Sequence, residues 1–306
     1  MVLGLVQYKM GTKYLGDAGA LKSTDTDEEI ARKTKKFYLI SGVSAALLVV
    51  FGYLVSSGVL DFTLTDIAEG LGSSILIIVA VYFIYLIFFG GHTQLEKKRL
   101  GIIFWLFILA AIFWSGFEQA GSSLNLFADR MADRSFGDWE MPASWLQSVN
   151  STFIIIFAPL FGSLWITLAR IKKHPSFLVK FALGLLGLGA GFFVIAWGAA
   201  NAEPGTVGIT FLIVTYFLHT VGELCLSPVG MSSITKLAPE GRVGQMMGIW
   251  FVATALGNLI AGLVAGDIGA LGFDGLFQQV AMISAGAGVV ALLLAFPLRR
   301  FTGGVE

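Results

Sequence analysis

Eight separate stretches of this chain are apolar for long enough to cross a lipid bilayer: residues 37–60, 67–90, 100–127, 147–169, 177–199, 206–228, 244–266 and 277–297. A hydrocarbon core of about 30 Å takes about 20 helical residues. Inside it every backbone N–H and C=O needs an internal partner, and runs of this length meet that demand as helices. The sequence therefore predicts an all-α membrane protein with eight transmembrane helices. Composition agrees, at 56% hydrophobic and 13% charged, with 38 glycines suited to close helix contact. The formal net charge is zero, which gives no global nucleic-acid signal. The only cysteine, Cys225, lies within a span, so the chain has neither a disulfide framework nor a thiolate metal cluster.

The charges that remain are segregated among the connections. Lys22, Arg32, Lys33, Lys35 and Lys36 precede the first span, and the second connection has no basic residue. Lys97, Lys98 and Arg99 fill the third. The fourth offsets Arg130 and Arg134 with Asp129, Asp133, Asp138 and Glu140. Arg170, Lys172 and Lys173 follow the fourth span, Glu203 alone marks the sixth connection, and Lys236 and Arg242 mark the seventh. Asp267 and Asp274 occupy the eighth, and Arg299 and Arg300 lie at the C-terminal end. Basic clusters alternate with neutral or acidic loops, which by the positive-inside rule places both termini in the cytoplasm. Thr and Asp residues in 20–36, followed by acidic and then basic side chains, predict a polar linker whose end starts a helix.

Against this apolar background two carboxylates stand out, Glu118 and Glu223. A charge at the bilayer centre costs about 2.5–3.5 kcal/mol on insertion scales, so such residues face a bundle interior or a watery cavity, where they bind substrate, ion or proton. Thr215, His219, Glu223 and Ser227 recur every fourth residue and predict one polar stripe. Pro228, just beyond, predicts a kink or break in that span. Trp114, Glu118, Ser122 and Asn125 predict a similar face on the third span, with Gln119 adding an amide. There Glu118 is either part of a transport site or the ion-paired brace of another helix, and Gly116 and Gly121 serve either flexing or close packing. Trp250, Thr254 and Asn258 share a face of the seventh span, with Phe251 adjacent, an aromatic floor suited to variable side chains. Gly187 and Gly191 predict close helix packing. Asn150 opens the fourth span; its Asn-Ser-Thr sequence sits where the span enters the bilayer, which argues against glycosylation. His92 and His174 are expected to be ordinary surface residues. The chain lacks H-E-x-x-H, G-x-S-x-G and Walker-type motifs and any Cys/His cluster, which argues against an enzyme.

Three segments, FWSGFEQAGSSLNLFADR, PASWLQSVNSTFIIIFAPLFGSLW and TYFLHTVGELCLSPVGMSSITKLAPEGRVGQMMGIWF, closely resemble the C-terminal half of bacterial proton-dependent oligopeptide transporters, the POT or PTR family of the major facilitator superfamily. The resemblance implies that 1–36 is the end of a truncated helix and a cytoplasmic linker. It implies that 37–90 forms two extra transmembrane helices and 100–300 the C-terminal six-helix transporter bundle. Glu223 would then receive the amino terminus of a di- or tripeptide, Asn150 would contact the peptide backbone, and Ser227 would lie below the key acid. Trp250, Phe251 and Thr254 would line a side-chain pocket. Glu118 and Trp114, with Gln119 beside them, would serve gating and proton coupling. Protons are the implied coupling ion, with no cofactor and no metal, and the implied setting is the bacterial inner (plasma) membrane. The family's first-helix E-x-x-E-R motif is not in this chain, so the resemblance also implies a missing N-terminal six-helix half. The competing expectation is a non-transporting helical membrane scaffold or regulatory protein.

Overall fold

The computed structural model describes residues 2–15, 26–60, 62–200 and 202–305. Lys22 and the other linker residues of 16–25 lie outside the described residues. The chain divides into two compact units, Met1–Thr63 and Leu64–Glu306.

The first unit holds α1 (Val2–Leu15) and α2 (Asp27–Ser56). Thr26 caps α2: its hydroxyl accepts from the Glu29 N–H at 3.4 Å, and the Glu29 carboxylate accepts from the Thr26 N–H at 3.0 Å. This reciprocal box satisfies two orphan donors. It starts the helix ten residues before the apolar run at Phe37. The apolar residues Phe37 to Tyr53 on α2 are largely exposed.

The second unit holds seven of the eight helical segments long and apolar enough to cross a membrane. They are α3 (Leu64–Phe89), α4 (Gln94–Phe117) with its continuation α5 (Ser123–Arg130), α6 (Gln147–Arg170), α7 (Phe177–Ala199), α8 (Thr210–Leu237), α9 (Val243–Gly266) and α10 (Ile268–Leu298). α3 packs against α9 and α4. The division of contacts falls between α2 and α3.

Four two-residue strands tie the loops at one end of the bundle. β1 (Ala132–Asp133) pairs in parallel with β4 (Val207–Gly208), and β2 (Ser135–Phe136) pairs antiparallel with β3 (Trp139–Glu140). The largely buried Arg134 holds this region, paired with Asp129 at 3.2 Å and Glu140 at 2.8 Å.

α7 is the central element, packed along both α8 and α10. Its glycines permit that approach. A Cβ on Gly187 would stand 3.2 Å from the Leu218 carbonyl, and one on Gly191 only 2.5 Å from the His219 ring. The close-packing expectation for this pair thus has a direct steric basis. Phe181, Phe192 and Phe277 fill the adjoining core.

Three expectations need correction. The span over 100–127 is not one helix: a 3-10 turn at Glu118–Gly121 and the non-helical Ser122 (φ −125°, ψ −96°) separate α4 from α5. Conversely, α8 does not break at Pro228 but continues to Leu237. Proline's fixed φ suits a helix, and neighbouring helices tolerate the lost bond. Finally, His92 and His174 are not ordinary surface residues: both are partly buried, with His92 Nδ1 4.0 Å from the Glu96 carboxylate.

Candidate functional site: two intramembrane carboxylates

Glu223 lies midway along α8 and is half-buried. Across the helix interface, the Asn150 side-chain amide on α6 donates to Glu223 Oε2 at 3.3 Å and to Thr220 Oγ1 at 3.0 Å. Thr220 in turn donates to the Tyr216 carbonyl at 2.7 Å. A neutral amide holds the carboxylate, and among the described residues no cation does.

Glu118 is also half-buried and sits where α4 ends. That end belongs to a helix packed against α8, which carries Glu223. Among the described residues Glu118 makes no ion pair that would brace another helix. Two acids on neighbouring helices, one held only by an amide and one unheld, can attract a cation such as an ammonium group or share a proton.

The helix break beneath Glu118 is organised by Gln119, whose side chain is 0% exposed. Its amide N–H donates to the Ala261 carbonyl on α9 at 3.1 Å, and its oxygen accepts from Ser122 at 3.2 Å and from Ser123. Trp114 stacks edge-on against Phe113 and Phe117. It lies against α9 where a Cβ on Gly257 would come within 2.5 Å of it. Gly116 is tightly enclosed, a close-packing role, whereas a Cβ at Gly121 would meet nothing within 4 Å. Asn125 lies beyond the break, in a separate polar recess with Asp129 and Arg134. The break therefore divides the face expected from Trp114 to Asn125.

The stripe on α8 also divides. Thr215 (0% exposed) donates to the Gly191 carbonyl at 3.1 Å, and His219 (1% exposed) packs on Phe192, so both face α7. Glu223 and Ser227 remain half-buried, with Glu223 toward α6. Fourfold spacing drifts by about 40° per step at 3.6 residues per turn, or about 120° from Thr215 to Ser227. Thr220 was not anticipated, because it is off the fourfold register. Its signal is the i, i+3 spacing to Glu223.

On α9, Trp250 and Phe251 do not share a wall. Trp250 is 2% exposed, edge-on to Phe181 and seated over Gly230, so it is a packing residue. Phe251 is 61% exposed, and Thr254, half-buried, donates to the Trp250 carbonyl at 3.4 Å. Consecutive helical residues point about 100° apart. Among the described residues no group of three or more His, Cys, Asp or Glu side chains is placed to hold a metal.

A multi-pass helical bundle with two intramembrane acids beside a broken helix has the architecture of major facilitator carriers. Residues 1–270 match the POT family, and the chain belongs to that family. It is 40% identical over 267 residues to the peptide transporter YePEPT of Yersinia enterocolitica, covering 85% of this chain and 52% of that protein. It is 34% identical to the uncharacterized transporter YclF of Bacillus subtilis, over 100% of this chain and 60% of that one. Among solved structures, the peptide transporter POT in complex with sulfate superposes with a TM-score of 0.84 at 31% identity, covering 98% of this chain and 60% of that one. A POT family transporter in complex with 5-aminolevulinic acid gives a TM-score of 0.80 at 28% identity, over 97% of this chain and 61% of that one. The chain thus spans about half to three-fifths of the length of the relatives it matches.

Proposed function

We propose that this chain forms the C-terminal half of a proton-coupled di/tripeptide symporter of a bacterial inner membrane, working by alternating access with an N-terminal six-helix half. The observation that carries the reading is the half-buried Glu223 carboxylate, whose side chain among the described residues is held by Asn150 and by no cation, on a helix packed against α4, at whose end Glu118 stands. A peptide ammonium supplies the missing countercharge and offsets the desolvation of Glu223. Asn150, already beside the acid, is positioned to turn its amide to the peptide backbone. Ser227, Phe251 and Thr254 form the adjoining wall, with Trp250 buttressing it from the core. Glu118 takes and releases the coupling proton at the break that Gln119 and Trp114 hold. The basic connections face the cytoplasm, as do both termini.

α6 supports the need for a second half. Among its described residues none is fully buried, and Ile155, Ile156 and Leu160 are exposed. Alternating access rocks one bundle against another around a midplane site, so this half alone is inactive. The test is dipeptide uptake into proteoliposomes under an imposed proton gradient, with and without a matching N-terminal half. Uptake with both halves, abolished by Glu223→Gln, supports the reading. No uptake in any combination supports a non-transporting scaffold, and full uptake by the Gln variant removes Glu223 from the proposed role.

A further inference from the structure

Away from the two acids, a groove of about 570 Å³ runs between α3 and α9, lined by Ile75, Val79, Tyr82, Gln245, Gly248 and Val252, among others. Both helices are long and apolar enough to cross a membrane. Gly248 keeps the groove open, because it is exposed and a Cβ there would meet nothing within 4 Å. The walls are apolar except at one end, where Tyr82 and Gln245 meet. There the Tyr82 hydroxyl donates to Gln245 Oε1 at 2.8 Å, and the Arg242 guanidinium donates to the same oxygen at 2.9 Å.

Accepting twice occupies the Gln245 oxygen and fixes which way its amide is turned. What the cluster has left is donors: the Gln245 N–H groups and the remaining N–H groups of Arg242. Among the described residues Arg242 makes no ion pair, and the lining of the groove contains no carboxylate. Glu240, two residues before Arg242, is exposed and does not pair with it. An apolar trough that ends in a guanidinium and an amide matches an acyl chain joined to a group that accepts hydrogen bonds. Guanidinium N–H groups suit phosphate oxygens, and basic sites beside transmembrane helices hold phosphate-bearing headgroups. The lining offers nothing to receive an ammonium, which favours an anionic headgroup over a zwitterionic one.

We propose that the α3–α9 groove binds one anionic phospholipid, with an acyl chain along Ile75, Val79 and Val252 and the phosphate at Arg242 and Gln245. A lipid so placed would join α3 to α9, the helix that carries Phe251 and Thr254.

The test uses the full chain in detergent and needs no second half. Phosphatidylglycerol, phosphatidylcholine and soluble glycerol phosphate are titrated as separate probes and read by native mass spectrometry. One phosphatidylglycerol per chain is expected, and Arg242→Gln should weaken it about fivefold. Gly248→Leu fills the groove while leaving Tyr82, Gln245 and Arg242 in place, so it should abolish the one-lipid species. It also tests the site if the Arg242 variant fails to fold. Two controls should leave binding intact. Gly286→Leu on α10 changes another exposed glycine whose Cβ would meet nothing within 4 Å, and Lys172→Gln removes an exposed loop charge. The proposal is overturned if either control weakens binding as much as the groove variants, or if binding is unchanged in Gly248→Leu or Arg242→Gln. Phosphatidylcholine competing as well as phosphatidylglycerol overturns it equally. So does displacement by glycerol phosphate, which would leave the apolar groove without a role. Failure to retain any lipid overturns it too and would assign the groove to another protein segment.

Discussion

Asn150 and Glu223, 73 residues apart in sequence, meet across the α6–α8 interface through an amide-to-carboxylate hydrogen bond of 3.3 Å. The same amide nitrogen also donates to Thr220, so the acid, the amide and the hydroxyl form a linked set. Among the described residues this arrangement leaves Glu223 with free acceptor capacity and no countercharge, the condition in which a ligand ammonium gains most from binding.

Replacing Asn150 with Val removes the only hydrogen bond that the described residues give Glu223. Hydrogen bonds to charged groups contribute about 1.5–3 kcal/mol, so dipeptide affinity of the paired halves should fall by about tenfold or more. Thr220→Val leaves the amide–carboxylate bond intact and should cost clearly less. Equilibrium binding of a labelled dipeptide to the two variants ranks them; equal losses would count against the special role of the Asn150–Glu223 bond.

Gly222 on α8 faces Gly184 on α7 so closely that a Cβ would stand 2.6 Å from the Gly184 carbonyl oxygen. Backbone cannot rotate away as a long side chain does, so Gly222→Ala should separate the helices and destabilise the bundle by about 1–3 kcal/mol. Gly162→Ala on α6 meets nothing within 4 Å and should be neutral or slightly stabilising. Thermal unfolding in detergent compares the two. A stable Gly222→Ala protein would mean that the α7–α8 contact is looser than its geometry implies.

Trp250 and Phe251 are neighbours in sequence with opposite expected phenotypes. Trp250→Ala empties a packed site between Phe181 and Gly230 and should cost about 3–5 kcal/mol of stability. Phe251→Ala, at a residue 61% exposed, should leave unfolding nearly unchanged and alter which dipeptide side chains compete for uptake. Unfolding and competition assays on the same preparations separate the two effects.

These contrasts show which features the sequence makes legible. Span number and position are local properties of apolar length, so the eight segments are readable directly from runs such as 177–199. Close helix packing at Gly187 and Gly191 is readable too, because small residues one turn apart have few other uses in a span, but not that α8 is the helix they meet. The break after Phe117 is not, because its main anchor is the Gln119 bond to the Ala261 carbonyl, 142 residues away. Nor is the division of labour along α8, where slow helical drift carries Thr215 and His219 toward α7 while Glu223 meets Asn150. Pro228 misled for a related reason: local preference marks where a helix can break, whereas packing decides whether it does.

Glu118 and Gln119 provide the sharpest test of how the broken helix works. Gln119 joins the Ala261 carbonyl to the hydroxyls of Ser122 and Ser123 from a fully buried position. Gln119→Leu strands these groups and should destabilise the protein by about 1–3 kcal/mol for each buried group left unsatisfied. Amide hydrogen exchange at 118–123 should accelerate with it. Glu118 has no such structural bond among the described residues, so Glu118→Gln should unfold like the unmodified chain. In the paired halves it should still exchange dipeptide across the membrane, yet fail to concentrate it when a proton gradient is imposed. Loss of exchange together with gradient-driven uptake would make Glu118 part of peptide binding instead. A destabilised Glu118→Gln chain would assign it to the scaffold of the break.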